Sequence, residues 1–145
     1  MSTRTYDPKK VILTVGPYVM GGYADGTFIT VRRDEDAWSK KVGTDGEVTR
    51  AKSNNLAGHI EVVLDMASPS NDALTALATL DEVSNGGVVP VTVREVGNAS
   101  GLPILVSEAG WVKKKADQAF SKKSEDRTWT IDLGAIDYIP SGLSL

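Results

Sequence analysis

Short runs in which apolar and polar residues alternate recur along most of the chain. The clearest run is residues 58–66, in which Ile60, Val62, Leu64 and Met66 share one face. Alternate side chains of a strand point to opposite faces of a sheet, so one face here is predicted to be buried and the other to meet water. Further strands are predicted at residues 10–15, 27–33, 88–96, 102–107, 110–115 and 127–133, with residues 135–139 continuing the last.

Only one segment has helical spacing. Leu74, Leu77, Ala78 and Leu80 recur at that spacing and predict a helix over residues 70–84. It is predicted to begin at Ser68-Pro69 or Ser70 and to end at Asn85-Gly86-Gly87. With roughly eight to ten strands, this pattern predicts a mainly β fold, a β-sandwich or partly closed barrel with one flanking α-helix. The length predicts a single domain over residues 1–145.

Two further runs predict a hairpin that leaves the body of the domain. Residues 37–42 and 47–52 flank Gly43-Thr44-Asp45-Gly46, and the two glycines supply the positive φ that a tight connection requires. The arms hold few apolar residues, so neither has a face to bury in its own core. We therefore predict that residues 37–52 project as a polar hairpin. A different feature marks the predicted strand at residues 88–96, which contains Pro90. Because proline cannot donate a backbone hydrogen bond within a sheet, this segment is predicted to be an edge strand or the start of a strand.

The sequence lacks the residue patterns of an active site. There is no cysteine, and His59 is the only histidine. Neither a Gly-x-Ser-x-Gly elbow nor a phosphate-binding glycine loop occurs, so no catalytic, metal or cofactor residues are predicted. The net charge of −3 makes a nucleic-acid clamp a poor interpretation, because phosphate binding needs concentrated Lys and Arg. No apolar run approaches the roughly 18 residues of a membrane span.

Several segments resemble one family of proteins. Residues 6–62 resemble short bacteriophage proteins of contractile tails, most specifically in DGTF at residues 25–28, RRDEDAWSKK at 32–41 and KSNN at 52–55. The later segments SPSNDALTALATLDEVSNGGVVPVTVREVG and RTWTIDLGAIDYIPSG are similar to the same family. The resemblance implies a tail tube protein of a contractile-tailed, myovirus-type phage, similar to the tube proteins of type VI secretion systems.

The resemblance carries expectations about assembly. Such tubes are stacked hexameric rings whose inner sheets join into one β-lined channel for DNA delivery. The implied partners are other copies of the chain, a tail sheath protein outside, and a baseplate and a tail terminator at the ends. DNA and a tape measure protein are expected to pass through the lumen without specific binding, and no membrane or cofactor is involved. The implied location is the virion, in the phage tail, after synthesis in the bacterial host cytoplasm.

The same resemblance assigns roles to two groups of residues. The projecting hairpin is expected to grip the next ring through Trp38, Lys40, Lys41, Val42, Thr44, Asp45, Glu47 and Arg50. Glu61 and Asp65, on the polar face of residues 58–66, are expected to face the lumen and repel DNA phosphates. The alternative that this face lies on the outer wall beneath the sheath stays open. Residues 1–9 are expected to form an arm that orders against a neighbour.

Two other function classes compete with the structural one. A small soluble β-barrel binding module for an apolar ligand would need a continuous apolar interior with a cavity. The polar faces of residues 47–52 and 58–66 count against it. An enzyme is the third class, and the missing catalytic constellation counts against that. The sequence therefore favours a structural assembly protein that is not an enzyme.

Overall fold

The computed structural model describes residues 5–96 and 103–140. In these ranges it has one α-helix, α1 (Ser70–Ser84), and a short 3-10 helix at Pro8–Lys10. The ten strands in the described ranges are β1 (Val11–Val15), β2 (Tyr18–Val19), β3 (Ile29–Arg33), β4 (Trp38–Val42), β5 (Val48–Lys52), β6 (Gly58–Asp65), β7 (Val89–Glu95), β8 (Leu105–Lys114), β9 (Asp126–Leu133) and β10 (Asp137–Tyr138). The predicted mainly β fold with one flanking helix is confirmed.

Eight of the strands form one antiparallel sheet. Its order is β2-β1-β7-β8-β9-β6-β3, with β10 paired to β8, and it does not close into a barrel. The two ends of the sheet are nevertheless linked by the segment that follows β2. There the Met20 amide donates to the Leu13 carbonyl of β1 at 2.9 Å, and the Ala24 amide donates to the Val63 carbonyl of β6 at 3.0 Å.

The core lies on one face of this sheet. Alternation along β6 buries Ile60, Val62 and Leu64 completely, and the paired strand β9 buries Ile131 on the same face. Helix α1 packs on that face too, with Leu74 fully buried. The burial of each such side chain stabilises the folded state by about 1.5–3 kcal/mol. The predicted buried face of residues 58–66 is therefore the core face, on the side of the sheet where α1 packs, mainly over β8 and β2.

The start of α1 is fastened to the sheet by a buried asparagine. Pro69 occupies the N-cap position and makes no side-chain hydrogen bond to the helix. The Asn71 side-chain nitrogen donates instead to the Asp65 carbonyl at 2.9 Å, and its oxygen accepts from Trp129 Nε1 at 2.9 Å. These two bonds satisfy polar groups that would otherwise be costly to bury. They also fix where the helix begins on the sheet.

The strand prediction is wrong for residues 102–107 and 110–115. These are one continuous strand, β8, and the predicted first residue, Leu102, lies outside the described residues. Val91 opposes Ser107 while Val89 opposes Gly110, so β8 contains one extra residue at a bulge. A bulge shifts the alternation of side chains by one position. That shift is why one strand has the sequence pattern of two.

The two alternatives for Pro90 are resolved by the position of β7. This strand lies between β1 and β8, so the edge-strand alternative is wrong. Pro90 is the second residue of β7 and lies where the register with β8 shifts, so the strand-start alternative is right. Its carbonyl accepts from the Gly16 amide at 2.8 Å. The missing proline N–H falls where the regular ladder is interrupted.

Candidate assembly surfaces

The hairpin of β4 and β5 is a sheet of its own. The strands pair from Trp38↔Lys52 to Val42↔Val48, and all ten of their residues are exposed. The turn is closed by the Gly43 amide, which donates to the Glu47 carbonyl at 2.8 Å. In the described ranges neither strand pairs with the eight-stranded sheet. The hairpin therefore has both faces available for contact.

The two faces of the hairpin differ in chemistry. The pairing register puts one group of side chains together, Trp38, Lys40, Val42, Val48, Arg50 and Lys52, which we call the apolar-basic face. The opposite face has Ser39, Lys41, Thr49 and Ala51. The Arg50 guanidinium lies 3.9 Å from the centroid of the Trp38 ring. A cation over an exposed tryptophan contributes about 0.5–1 kcal/mol, so this contact orders the apolar-basic face.

The turn residues Thr44 and Asp45 lie at the tip of the hairpin. Asp45 Oδ1 accepts from the Glu47 amide at 3.2 Å, and Gly46 takes a φ of 87°. The described structure thus brings the eight predicted hairpin residues into one ribbon, but onto both of its faces and its tip. Lys41 lies on the opposite face from Lys40, a separation that follows from the period of two in a strand.

The hairpin continues the paired strands β3 and β6 beyond one end of the sheet. The last pair of these strands is Arg33↔Gly58. Next the Asp34 amide donates to the Ala57 carbonyl at 3.0 Å, and the Ser53 amide donates to the Ala37 carbonyl at 2.8 Å. The backbone ribbon is therefore nearly continuous from β3 and β6 into the hairpin. The base is anchored further by Arg33, whose guanidinium donates to the Ile136 carbonyl at 2.6 Å.

The sheet face opposite α1 is polar. Glu61 is exposed there, with Thr30 opposite it on β3 and Thr130 opposite it on β9. His59 is part-exposed on the same face, and its Nδ1 lies 3.2 Å from Asp34 Oδ1. The alternation of residues 58–66 predicts this face correctly. Its neighbours on β3 and β9 become apparent only from the pairing.

Asp65 differs from Glu61 in its surroundings. Its carboxylate accepts from the Ala67 amide at 2.9 Å and from Ser124 Oγ at 2.9 Å. These hydrogen bonds, first that from Ala67 and then that from Ser124, lower the pKa of Asp65 below its ordinary value. Asp65 therefore fastens the segment before β9 to β6. Sequence reasoning missed this role because Ser124 lies far away along the chain.

An apolar groove lies between β3 and the pair β1–β7. It consists of two adjoining cavities of about 530 and 700 Å³ that share Pro8, Val11, Gly26 and Phe28. The larger one adds Ile29 and Val31 from β3 and Val93 from β7. The smaller one extends to the segment after β2, where Tyr23 pairs with Leu64. The groove is open at the protein surface, whereas the space over the core face of the sheet is filled by buried side chains.

Metal-ligand groups and long apolar helices are both absent from the described residues. Across residues 5–96 and 103–140, no three His, Asp or Glu side chains lie close enough together to hold a metal ion. The helix in these ranges is too short and too polar to cross a membrane.

Comparison with known proteins identifies the family. The family model for the bacteriophage PhiTE tail tube protein matches residues 12–140. The chain belongs to this tail tube protein family. A related phage protein is "Structural protein ORF10" of Pseudomonas phage KPP10, which is 26% identical over 139 residues, covering 90% of this chain and 79% of the relative. The resemblance to phage tail tube proteins is thereby confirmed, and this tail tube family member is a structural component of the virion.

Solved structures agree with this tail tube family in fold. The sheath/tube terminator of an extracellular contractile injection system superposes with a TM-score of 0.66 at 8% identity, over 97% of this chain and 100% of the other. A chain of the sheath-tube complex of such a system has a TM-score of 0.60 at 10% identity, over 93% of both chains. The cap of the anti-feeding prophage has a TM-score of 0.63 at 9% identity, over 94% and 92%. At these identities the likeness shows the fold alone.

Proposed function

We propose that this protein is the subunit of a phage tail tube that self-assembles into stacked hexameric rings and forms the channel for DNA delivery. The observation that carries the proposal is the two-stranded hairpin, in which all ten strand residues are exposed on a domain of the tail tube family. A hairpin with no core of its own is only marginally stable in water and is best explained by a partner. The role is structural and involves no catalysis.

Ring closure gives the sheet edges a physical role. In the described residues β2 and β3 are the outermost strands of the sheet, and unpaired edges promote aggregation. A head-to-tail contact that rotates by one sixth of a circle closes into a ring and covers both edges. Several weak contacts per subunit then give a durable tube through avidity.

The proposed partners follow from the same assembly. A sheath protein surrounds the tube, and a terminator and a baseplate bind its ends, as in contractile, myovirus-type tails and the similar type VI secretion tubes. Solved structures of the same fold are described as a tube-terminating cap, a sheath/tube terminator and a sheath-tube complex, which supports the sheath and the terminator among these partners. DNA and a tape measure protein pass through the lumen without specific binding, and synthesis takes place in the host cytoplasm.

Removing the tip of the hairpin tests the proposal. Deleting residues 41–47 leaves the eight-stranded sheet intact, because the hairpin strands pair only with each other in the described structure. We expect a folded subunit that forms no long tubes, judged by circular dichroism and negative-stain electron microscopy. The matched control is Thr79→Ala, an exposed position on α1. Tubes of normal length from the deletion variant would contradict an inter-ring role for the hairpin.

The lumen assignment is tested at Glu61 alone. We propose that Glu61 and Asp65 face the channel, where carboxylates repel DNA phosphates over about 8 Å at physiological salt. Because the Asp65 carboxylate also accepts a hydrogen bond from Ser124, a substitution at Asp65 would alter the local structure as well as the charge. Glu61→Lys should leave tube assembly intact and slow DNA ejection from reconstituted phage, while Thr79→Lys should not. Equal ejection rates would favour the outer wall beneath the sheath.

The start of the chain is proposed as an arm that orders against a neighbouring subunit. Residues 1–4 of this arm lie outside the described residues, whereas Pro8–Lys10 form a 3-10 helix capped by Asp7. Asp7 Oδ1 accepts from the Lys9 amide at 3.0 Å. Limited proteolysis should cut the arm in the free subunit and spare it in assembled tubes. Equal cleavage in both states would count against the arm.

A further inference from the structure

We propose that the apolar groove between β3 and β1–β7 receives the hairpin of a second copy of this chain. The inference rests on the proposed tube function and adds the receiving site that the hairpin needs. Its occupant is the apolar-basic face, led by Trp38, Val42 and Val48.

The hairpin and the smaller cavity of the groove lie at opposite ends of the same strand, while the larger cavity extends along β3 to Val31, which pairs with Ile60. The hairpin leaves the body at Gly58, the first residue of β6. The groove reaches the other end of β6, where Tyr23 bridges to Leu64 and the Asp65 amide donates to the Gly22 carbonyl at 2.9 Å. An eight-residue strand is about 23 Å long at ~3.3 Å per residue. A copy displaced along β6 therefore brings its hairpin to the groove of the next, a head-to-tail contact that repeats along an axis.

The two surfaces match in chemistry. On the hairpin, Trp38 is 46% exposed, Val42 58% and Val48 64%, which is a cluster of uncovered apolar side chains on one face. The groove offers the apolar side chains of Phe28 and Val31, among others, and no side chain among residues 5–96 and 103–140 fills it. Its cavities of about 530 and 700 Å³ fall in the range of pockets that take a drug-sized molecule. An aromatic ring with its neighbouring aliphatic groups is of that size.

Charged residues at the rim of the groove would orient the hairpin in this contact. Asp25 is exposed at the edge of the groove, and Lys9 is the cation of the same lining. The apolar-basic face carries Lys40 and Arg50 beside its apolar side chains. Opposite charges around an apolar contact fix its register more than its affinity. We assign Asp25 as the residue that a hairpin cation of the second copy meets.

Disulfide trapping tests the contact, because the chain has no cysteine that would interfere. The double variant Val48→Cys/Thr27→Cys places one thiol on the apolar-basic face and one on the groove lining. Oxidation of assembled protein should give a ladder of covalently linked multimers on a denaturing gel. The control Val48→Cys/Thr79→Cys, with the second thiol on the helix, should give none. Tubes that show no ladder, or equal ladders for both variants, would overturn the inference.

A substitution on each face of the hairpin supplies a second measurement. Trp38→Ala should raise the critical concentration for tube growth about thirtyfold, as is typical when an anchoring tryptophan is lost. Ser39→Ala, on the other face of the same strand, should leave it unchanged. If Trp38→Ala assembles like Ser39→Ala while tubes form normally, the inference fails and the proposed function stands. If wild-type protein forms no rings or tubes at any concentration, both fail.

The competing occupant of the groove is an apolar small molecule, as in a β-barrel binding module. Titration with the fluorescent dye ANS separates the two. If the hairpin fills the groove, dye bound by the free subunit should be released when tubes form, and Phe28→Asp should abolish its binding to the free subunit. Dye that remains bound to the groove of assembled tubes would overturn the inference and favour a ligand site.

Discussion

Gly58 is the glycine at which a single added methyl group should destabilise the fold most. It is the first residue of β6 and the last to pair with β3 before the hairpin begins. A Cβ there would collide with the Arg32 carbonyl oxygen and with Ile136 Cδ1, and would lie 3.0 Å from Arg33 Cα. Two of these neighbours are backbone atoms of β3, which cannot rotate away. Gly58→Ala must therefore displace β3 or push aside the fully buried Ile136.

The loss of folding free energy expected for Gly58→Ala can be estimated. Overpacking a close-packed site costs about 1–3 kcal/mol, and backbone neighbours place this site near the upper end. Each kcal/mol lowers the melting temperature of a chain of this size by about 2–4 °C, so Gly58→Ala should melt roughly 6–12 °C below wild type. Because the displaced strand leads into the hairpin, tube formation should weaken as well.

Thermal denaturation followed by circular dichroism at neutral pH measures the effect. Gly21→Ala is the matched control, because a Cβ at Gly21 meets no atom within 4 Å and its backbone has no positive φ. The control should melt within the error of wild type. If Gly58→Ala melts at the same temperature as Gly21→Ala, the close packing inferred at the base of the hairpin is refuted.

Three further predictions concern the stability of the fold and its pH dependence. Trp129→Phe leaves the Asn71 side-chain oxygen without its donor and should lower the free energy of unfolding in urea by about 1–3 kcal/mol; an unchanged value would contradict the bond. Asp65→Asn should be less stable than wild type at neutral pH; because the native pKa of Asp65 is depressed, the difference should shrink as the pH falls below about 4 and vanish below the depressed pKa, as urea titrations at several pH values can test. Leu74→Ala should cost about 2–5 kcal/mol and Leu80→Ala less than about 1 kcal/mol, and equal losses would contradict the observed burial.

Local sequence patterns account for most of the elements. The alternation of residues 58–66 predicts both faces of β6, because each strand residue points to the side opposite its neighbours. The helix occupies the range 70–84 that its leucine spacing predicts. The glycines at both ends of the 43–46 turn likewise predict the two strands that flank it, to within one residue.

Features that depend on tertiary contact could not be predicted in this way. Leu74 and Leu80 share helical spacing, yet Leu74 is fully buried and Leu80 is 48% exposed, since the sheet covers only part of α1. The bulge in β8 depends on pairing with β7, which no local pattern specifies. The groove joins residues from β1, β3 and β7, and the bond between Ser124 and Asp65 spans 59 positions of the chain. These surfaces form only once the chain has folded.

The separation of the hairpin from the core bears on how such a protein can diversify. The residues of β4 and β5 contact each other and contribute no buried side chain to the domain. Substitutions on the hairpin should therefore leave the free energy of folding nearly unchanged, as is usual for surface positions. The recognition between copies that we propose for the hairpin can then change under selection without unfolding the subunit. Under the proposed contact, two phages infecting the same cell would keep their tubes distinct by changing this short ribbon together with the groove that receives it.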